Sequence, residues 1–459
     1  MRLNITKNFI IAFFVILAIY QTSELWFEGF SNHNFFYSFF NNSNDSDDDG
    51  LVYSLDNIII NKGNDKLICM KNDIYKSECK NVFDTAVKMT MEDGAVFSGD
   101  KFNWEEIFSS RSVVYRYSVE IDNGSISKMF GFDRELLNGF SEKTDTIVII
   151  PVTTMPERIL VGFGNSKTDK AKFFSLEKDQ YVYTLYNSIG SVQNSGDIYY
   201  TASVKNGLNL FKGNIFIPQW NSVNPDYYAV VGENPFDEDG EFQQIELERA
   251  VDVFFDNSAS KWASFSDDTY IYSDENTVVK YYQNGILELY NYSAEKNSGD
   301  NDFYSKYKSA VSVIKRDSNI KNEYFLSGYS EDSEKTIFYF DYKINDFTIR
   351  LGDGIKETTG MRSVIEVTLN EGRVSRYRRL AYDFYPDDSE SVIIGKNLIN
   401  TINEVLAEVQ SAGQNNNISA DSNEIIEDVE LIYVLDDNKK AFLNWLINID
   451  GMEYIKETL

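Results

Sequence analysis

The chain has 459 residues, of which 42% are hydrophobic and 15% aromatic, so it can form about two to four domains with apolar cores and is not an intrinsically disordered protein. Its formal net charge of -29 excludes nucleic acid as a plausible partner, because the surface repels phosphate backbones. The same repulsion disfavours direct docking on anionic headgroups or wall polymers unless divalent cations bridge them.

The first feature along the chain is an apolar segment near the N-terminus. Phe9–Tyr20 is unbroken and apolar, and Lys7 precedes it. When Gln21–Phe27 is added, the segment reaches the length that spans a hydrocarbon core of about 30 Å as a helix. Basic residues lie before it, whereas Glu24 and Glu28 begin the acidic residues after it. This asymmetry predicts a cytoplasmic N-terminus and an extracytoplasmic body.

A cleaved signal peptide is the alternative to an uncleaved anchor. Ala18-Ile19-Tyr20 ends in a bulky residue instead of a small-x-small cleavage site, and the first cysteine, Cys69, is too distant for a lipobox. We therefore predict a cytoplasmic start and a single transmembrane anchor at residues 1–28. The polar residues 21–24 either contact other helices in the membrane or already lie in the outer headgroup region.

An aromatic and acidic tether is predicted at residues 29–50. Its acidic run is typical of a solvated linker. Asp45–Asp56 also places acidic oxygens and Gly50 at the spacing of an EF-hand calcium loop, although Asp56 stands where a bidentate glutamate is usual. Calcium binding and a solvated linker both fit this stretch, and we assign no metal site to it.

The two cysteines of the chain, Cys69 and Cys79, have nine residues between them. Outside the cell they would either close a small disulfide loop or remain as two thiols. Metal chelation by the pair is disfavoured because His33, the single histidine, is far away in sequence.

Strand–turn–strand patterns recur through the rest of the chain. In Thr269–Tyr292, alternating strands rich in tyrosine flank a turn at Gln283-Asn284-Gly285, and we interpret the tyrosines as cross-strand pairs that order a sheet. Asn-Gly and Asp-Gly supply the positive φ angles that tight hairpins need. Four further segments have the same form: Tyr115–Phe132, Ser203–Phe211, Ile365–Leu380 and Leu443–Ile455.

Two amphipathic segments predict helices, at Phe242–Asn257 and Ser389–Gln410. The second has Ser389 as its N-cap and an apolar stripe that should pack on a sheet. The stripe consists of Val392, Ile399, Ile402, Leu406 and Val409. The fold class predicted is α+β: an N-terminal transmembrane helix followed by about three extracytoplasmic domains of antiparallel β-hairpins and meanders packed with helices.

Polar segments predict where these domains end. Gly164–Ala171 and Ser293–Asp302 are interpreted as links, whereas Gln410–Glu424 is a loop inside a domain. The predicted units are an N-terminal α+β domain at 51–165, a middle domain at 166–300 and a C-terminal domain at 301–459.

Enzyme signatures are largely missing from the sequence. Gly162-Phe163-Gly164 lacks the third glycine of a dinucleotide-binding loop and is predicted to be a turn. Ser125–Lys128 has the SxxK spacing of penicillin-binding enzymes without the companion KTG triplet. His33 lies beside the anchor, which argues against a Ser-His-Asp triad. No pair of carboxylates stands out for glycoside hydrolysis among 72 acidic residues, and we predict neither an enzyme nor a cofactor.

The segment Phe254–Tyr292 resembles the middle domain of the YycH regulators of Gram-positive bacteria, in which a short helix ending in an aromatic pair precedes a β-meander. Glu430–Gly451, with Trp445, is similar to the C-terminal strand pair of that family and its buried tryptophan. The resemblance is better from about Phe242 to Tyr454 than before it. The matching residues of the meander are Phe254-Phe255, Tyr272-Ser273-Asp274, Val278–Tyr282, Gly285 and Leu287-Glu288-Leu289-Tyr290.

This resemblance to the YycH/YycI family implies a single-pass membrane protein that adjusts the cell-wall-sensing histidine kinase of the WalK/WalR (YycG/YycF) two-component system. It implies a YycI-like partner, and it implies that the transmembrane helix contacts the kinase. The predicted partner-binding residues share one helical stripe, for which a lipid-facing role is the alternative. They are Ile10, Phe14, Leu17, Gln21 and Glu24. The alternative function is a cell-envelope binding or scaffold protein that does not regulate a kinase.

Overall fold

The computed structural model describes residues 55–63, 67–69, 96–130, 137, 140–177, 179–192, 199–203, 210–211, 213–219, 227–238, 241–266, 268–292, 302–333, 335–344, 347–392, 397–413 and 426–458. The predicted anchor, the tether, nearly all of the calcium-like loop, Cys79 and the turn of the Ser203–Phe211 hairpin lie outside these residues. Among the described residues, no helix is long and apolar enough to cross a membrane.

The described chain alternates short helices with strands. The helices are α1 Trp104–Ser109, α2 Asn123–Met129, α3 Asp179–Ser191, α4 Gln244–Asp252, α5 Phe303–Arg316, α6 Asp353–Thr359 and α7 Leu398–Gly413. The strands of the first half are β1 Leu55–Asn61, β2 Leu67–Cys69, β3 Val96–Lys101, β4 Ser112–Ile121, β5 Thr144–Val152, β6 Arg158–Gly164, β7 Lys170–Leu176, β8 Tyr199–Ala202, β9 Phe216–Gln219, β10 Tyr227–Glu233, β11 Asp237–Glu238 and β12 Glu241–Phe242. Those of the second half are β13 Trp262–Ser266, β14 Thr269–Ser273, β15 Thr277–Tyr282, β16 Ile286–Asn291, β17 Glu323–Glu331, β18 Lys335–Ile344, β19 Phe347–Leu351, β20 Ile365–Asn370, β21 Arg373–Leu380, β22 Asp383–Val392, β23 Ile426–Leu435, β24 Lys440–Ile449 and β25 Met452–Glu457.

Two large sheets organise these strands. The first has nine strands in the order β3-β7-β6-β5-β4-β1-β2-β8-β9. The second, which we call the large sheet, has fourteen strands and runs β13-β14-β15-β16-β21-β20-β18-β19-β23-β24-β10-β22, with β17 added on β18 and β25 on β24. Pairing in the large sheet is antiparallel except between β19 and β23. The mixed α+β class with mainly antiparallel strands is therefore confirmed.

Both sheets contribute to one continuous apolar core. Ile60 and Tyr115 of the first sheet belong to the same buried cluster as Phe338 and Tyr433 of the large sheet. A polar contact also joins the segment between β8 and β9 to the large sheet, since the Ile426 amide donates to the Leu210 carbonyl at 2.9 Å. Because protein interiors are close-packed, this shared core gives both sheets a rigid support.

Three of the predicted hairpins are confirmed. β14, β15 and β16 form the tyrosine-rich meander, and Tyr270 lies directly opposite Tyr281 as a cross-strand pair. Its second turn needs Gly285, since the residue has φ of 87° and a β-carbon there would meet the Tyr382 ring. The hairpins β20–β21 and β24–β25 turn at Gly372 and Gly451, both with positive φ, and Trp445 on β24 is buried.

The predicted hairpin at Tyr115–Phe132 is wrong. β4 ends at Ile121, and Asp122 becomes the N-cap of α2, its carboxylate accepting a hydrogen bond from the Ser125 amide at 2.9 Å. An Asp before Asn-Gly-Ser satisfies the free N–H groups of a helix start as well as it starts a turn, so the local sequence does not distinguish the two outcomes.

The predicted helix at Ser389–Gln410 begins later than expected, and Ser389 is not its N-cap. Ser389 lies in β22, which pairs with β10, whereas α7 spans Leu398–Gly413. Within α7, Ile402 is buried but Ile399 is exposed. Strand pairing with a distant segment therefore overrides the helical pattern of residues 389–392. The other predicted helix, Phe242–Asn257, is shorter, since α4 spans Gln244–Asp252.

The Gly162-Phe163-Gly164 segment lies in β6 and is not a turn. Gly162 pairs with Phe173, whose ring would lie 2.5 Å from a β-carbon added at Gly162, so the glycine permits a close ring contact. Gly164–Ala171 was interpreted as a link, but β6 and β7 form a hairpin around it. The large sheet likewise contains strands from both sides of Ser293–Asp302. The three predicted domain bounds stay a prediction.

A buried ion pair joins α5 to the large sheet. Asp317 caps the C-terminus of α5, and its Oδ2 lies 2.8 Å from the Nε of Arg379, which is only 1% exposed. Burial alone would lower the pKa of Arg379, but the charge of Asp317 outweighs burial and raises it above its ordinary value. The Tyr377 hydroxyl donates to the same carboxylate oxygen at 2.9 Å.

Replacing Asp317 with alanine should destabilise the fold strongly, because it leaves the guanidinium of Arg379 buried without its counterion. We expect the free energy of unfolding to fall by about 3–5 kcal/mol. The matched control is Glu246→Ala, which removes the exposed partner of Arg249 on α4 and should cost less than about 1 kcal/mol. Denaturant unfolding measures both, and equal losses for the two variants would contradict this role of the buried pair.

A candidate interaction face on the large sheet

Strands β15, β16, β21 and β20 lie side by side, and α5 packs on one side of β20 and β21. We call the opposite side the outer face. On β21, Tyr377 and Arg379 point towards α5, whereas Arg376 and Arg378 point to the outer face because side chains alternate along a strand. Arg376 keeps 38% of its side chain exposed, so this face is accessible to solvent.

A β-bulge sets this alternation. Thr368 pairs with Arg376 and Leu369 pairs with Val374, which leaves Ser375 as an extra residue on β21. The Ser375 hydroxyl donates to the Thr368 carbonyl at 3.2 Å. Without the extra residue, the side chains that follow Ser375 would exchange faces. The bulge therefore places Arg376 and Arg378 on the outer face and Tyr377 on the side of α5.

Glu288 of β16 is the centre of the outer face and is only 3% exposed. Arg376 donates to it from Nε at 2.6 Å, and the Tyr282 hydroxyl donates at 2.9 Å. Burial disfavours the charged carboxylate, but the hydrogen bond and the positive charge of Arg376 outweigh burial, so the pKa of Glu288 lies below its ordinary value. Burial and the bond to Glu288 raise the pKa of Tyr282 to about 12, which keeps its hydroxyl protonated.

Two further arginines hold the neighbouring loop. Arg378 donates to the carbonyls of Thr359 at 2.6 Å and Gly360 at 3.3 Å, at the C-terminal end of α6. Arg362, in the same loop, is exposed and places its guanidinium 5.1 Å from the centre of the Tyr339 ring. Arg362 of the loop therefore lies on an aromatic ring, whereas Arg378 of the sheet forms hydrogen bonds to the loop backbone.

Tyr290 is the second aromatic support of the outer face. The Lys280 ammonium lies 5.5 Å from its ring centre and the Arg376 guanidinium 5.4 Å from it. Tyr292 extends the platform, since its ring stacks on Tyr290 with centroids 6.1 Å apart. Lys280 and Arg376 are therefore held over the Tyr290 ring, and Arg376 is also bonded to Glu288.

The chemistry of the outer face is that of a protein-binding surface. Tyrosine and arginine are enriched at protein interfaces, where their large, semi-rigid side chains contribute most of the binding energy. Basic residues outnumber acidic ones here, although the whole chain carries a net charge of -29. The basic set is Lys280, Arg362, Arg376 and Arg378, and the acidic set is Glu288 and Glu366. Arg376 is bonded to Glu288, and Arg378 to Glu366 and the loop carbonyls, so Lys280 and Arg362 are the cations of this face that suit carboxylates of a partner.

The cleft between the two sheets is a weaker candidate for a functional site than the outer face. Arg116 and Asp428 face each other across it at 3.6 Å, and Phe216 and Phe347 also line it. The accessible volume is about 30 Å³, which has room for a few water molecules at most and is too small for a substrate. Within the part of the chain that the structure describes, no cluster of three or more His, Cys, Asp or Glu side chains could hold a metal ion.

The residues predicted as partner contacts, Ile10, Phe14, Leu17, Gln21 and Glu24, lie outside the described residues, and so does His33. The SxxK pair belongs to the framework of the fold. The Ser125 hydroxyl donates to Asp122 at 2.7 Å and accepts from the Tyr304 amide at 3.2 Å, and Lys128 forms an ion pair with Asp302. These contacts join the start of α5 to α2.

The outer face itself was not predicted from the sequence. The order Arg376, Tyr377, Arg378, Arg379 indicates two arginines on one side of a strand and a tyrosine with one arginine on the other. What the pattern does not reveal is the bulge at Ser375 and the neighbouring strand that supplies Glu288. The segment that carries Glu288 precedes β21 by almost ninety positions, which the local pattern does not connect.

Replacing Glu288 with glutamine tests the charge balance of the face. A carboxylate whose pKa is lower in the folded chain adds stability above its unfolded pKa, about 4.3 for glutamate, and loses it as the pH falls. We expect Glu288→Gln to cost about 1.5–3 kcal/mol of unfolding free energy at neutral pH. The difference from wild type should shrink as the pH falls below about 4.3, as measured by urea unfolding over a pH series.

The matched control for this experiment is Glu408→Gln. Glu408 accepts a hydrogen bond from Lys456 at 2.5 Å but is largely exposed. We expect its loss to cost less than about 1 kcal/mol. A cost for Glu288→Gln that stays constant into acid would show that packing, and not the carboxylate charge, is responsible.

Comparison with known proteins gives a fold and no sequence family. No family model and no curated protein matches the sequence. The crystal structure of YycH from Bacillus subtilis has a TM-score of 0.52 at 11% sequence identity, covering 88% of this chain and 96% of that chain. An uncharacterized protein from Eubacterium rectale has a TM-score of 0.33 at 14% identity, covering 56% of this chain and 89% of that one. The chain therefore has a YycH-like fold.

Proposed function

We propose that this protein is a membrane-anchored extracytoplasmic regulator of a cell-wall-responsive sensor histidine kinase of the WalK type, and that it acts through protein–protein contacts without catalysis. The observation that carries the proposal is the YycH-like fold over 88% of the chain. The sequence resemblance in Phe254–Tyr292 points to the same family. A YycI-like protein is the second proposed partner.

The transmembrane segment and the outer face have separate roles. The transmembrane segment, with Ile10, Phe14, Leu17, Gln21 and Glu24 on one stripe, contacts the helices of the kinase. The outer face contacts an external segment of a partner that carries carboxylates, because its cations lie on tyrosine rings in an otherwise acidic protein. Electrostatic complementarity of this kind speeds association and selects the partner.

The role of the anchor is tested by replacing Phe9–Phe27 with an unrelated apolar helix of equal length. Kinase autophosphorylation is measured in membranes that contain the kinase with either form of the regulator. We expect the replacement to change kinase output, since only the helix–helix contacts are lost. Thermal unfolding of the external body should match wild type, and an unchanged kinase output would favour the envelope-binding scaffold instead.

The role of the outer face is tested by reversing two of its charges. We expect Lys280→Glu with Arg362→Glu to weaken binding of the purified partner at least about tenfold at low salt, because two attractive contacts become repulsive. Surface plasmon resonance with immobilised kinase or YycI-like protein measures the affinity. The control is Arg249→Glu on α4, an exposed reversal away from the face.

Equal affinities for the double variant and for Arg249→Glu would remove the outer face from the proposal. The proposed role of the anchor would then stand or fall by the helix replacement alone. Raising the salt concentration should reduce the difference between wild type and the double variant, because exposed charges are screened within about 8–10 Å.

A further inference from the structure

The strands at the sheet edges differ in how they avoid unwanted pairing. Exposed edges normally carry charged residues, proline or bulges that keep other strands away. β22, at one edge of the large sheet, contains Pro386 and four acidic residues of the segment Asp383–Glu390. β9, at an edge of the first sheet, contains Pro218, which cannot donate a ladder hydrogen bond.

The remaining described edges are protected as well. β3 is interrupted by two register shifts against β7 and ends in Asp100 and Lys101. β17, paired with β18 alone, carries a bulge and packs on β4, and β25 contains Glu453, Lys456 and Glu457. The strands β11 and β12 are only two residues long. Each device prevents a further strand from adding to that edge.

β13 differs from all of these described edges. It reads Trp262-Ala263-Ser264-Phe265-Ser266, without charge or proline, and pairs with β14 over its whole length without a register shift. β14 is the described strand that pairs with β13. All five residues of β13 are exposed. Trp262 is 74% and Phe265 57% exposed. A regular, uncharged edge with two exposed aromatic side chains is suited to accept another strand.

An aromatic row connects this edge to the interior. Phe242 stacks on Tyr270 with ring centroids 4.5 Å apart, and Phe265 lies 4.6 Å from Tyr270 on the other side. Phe242 also stacks on the buried Tyr281 at 5.9 Å. The row ends at Phe265, so a β-branched or aromatic residue on an added strand would continue it. Cross-strand pairs of this kind stabilise a sheet.

Charges at both ends of β13 decide the chemistry of the added strand. Asp274 and Glu275 lie in the turn after Ser273, which pairs with Trp262, and Asp268 follows the other end of the strand. Lys261 precedes Trp262, but its side chain is buried and paired with Glu248 and Asp252, so both ends are acidic on balance. An incoming strand with basic residues at its ends matches these carboxylates. A second copy of β13 would bring the same acidic flanks and the same net charge of -29, which opposes self-association.

We infer that β13 accepts an extended segment of a partner protein as an additional antiparallel or parallel strand, and that the segment has alternating β-branched or aromatic residues with lysine or arginine at its ends. Main-chain hydrogen bonds supply affinity in this mode, and the side chains facing Phe265 and Trp262 supply specificity. The inference rests on the sheet edge and does not depend on which kinase or envelope component the protein serves.

The test uses a fluorescent peptide of about ten residues, with alternating threonine and valine and lysines at both ends. Fluorescence anisotropy should show saturable binding to the purified chain. A peptide with proline in place of a central valine, and one with glutamates at its ends, should each bind at least about tenfold more weakly. The proline removes a main-chain donor, and the glutamates oppose the acidic flanks.

Ser264→Lys adds to β13 a charged residue of the kind that protects β22, β3 and β25 from further strand pairing. It should weaken binding of the lysine-ended peptide at least about tenfold. Val96→Lys, on the exposed edge strand β3, is the matched control and should leave binding unchanged. Phe265→Ser keeps the strand edge but removes the end of the aromatic row, and it serves as a second variant should Ser264→Lys unfold the protein.

Three results would overturn the inference. One is absence of binding by the lysine-ended peptide, and another is equal binding of the proline peptide. The third is a dimer of the wild-type chain that Ser264→Lys dissociates, because the occupant of the edge would then be a second copy. Sedimentation velocity of the wild type and of Ser264→Lys distinguishes this last case.

Discussion

The register of β21 between β16 and β20 is the constraint on which the described faces depend. Because the side-chain period of a strand is two residues, this register sends Tyr377 and Arg379 towards α5 and sends Arg376 and Arg378 to the outer face. Arg379, which points inward, is paired with Asp317, and Arg376, which points outward, is paired with Glu288. Both carboxylates are buried. A slip of one residue would leave two arginines in the apolar core and two carboxylates without counterions.

The ion pairs of Asp317 and Glu288 tie β21 to α5 and to β16, and the outer face and β13 are the surfaces that we propose for binding. The described cleft between the two sheets is too small for a substrate, whereas the outer face has cations on tyrosine rings and β13 is an uncharged edge strand with exposed residues. Such surfaces suit contacts with other polypeptides.

Local patterns predicted some elements well and others poorly for identifiable reasons. The hairpins at Gly285, Gly372 and Gly451 were predictable because positive φ at a glycine between alternating strands is a local property. The hairpin predicted around Asp122 is wrong because the same side chain starts a helix or a turn. Ser389 was misassigned because pairing of β22 with β10, more than 150 positions away in the chain, outweighs helical periodicity.

The α+β class and the tyrosine-rich meander follow from the residues alone, because periodicity and turn chemistry act over a few residues. The burial of Trp445 was implied by the resemblance to YycH regulators, and the structure buries it. Only the tertiary structure decided that Glu288 meets Arg376, that Asp317 meets Arg379, and that β13 is left at an edge. These depend on which distant strands become neighbours and on one bulge residue, Ser375. Strand order is set by packing over the whole chain, which no short segment encodes.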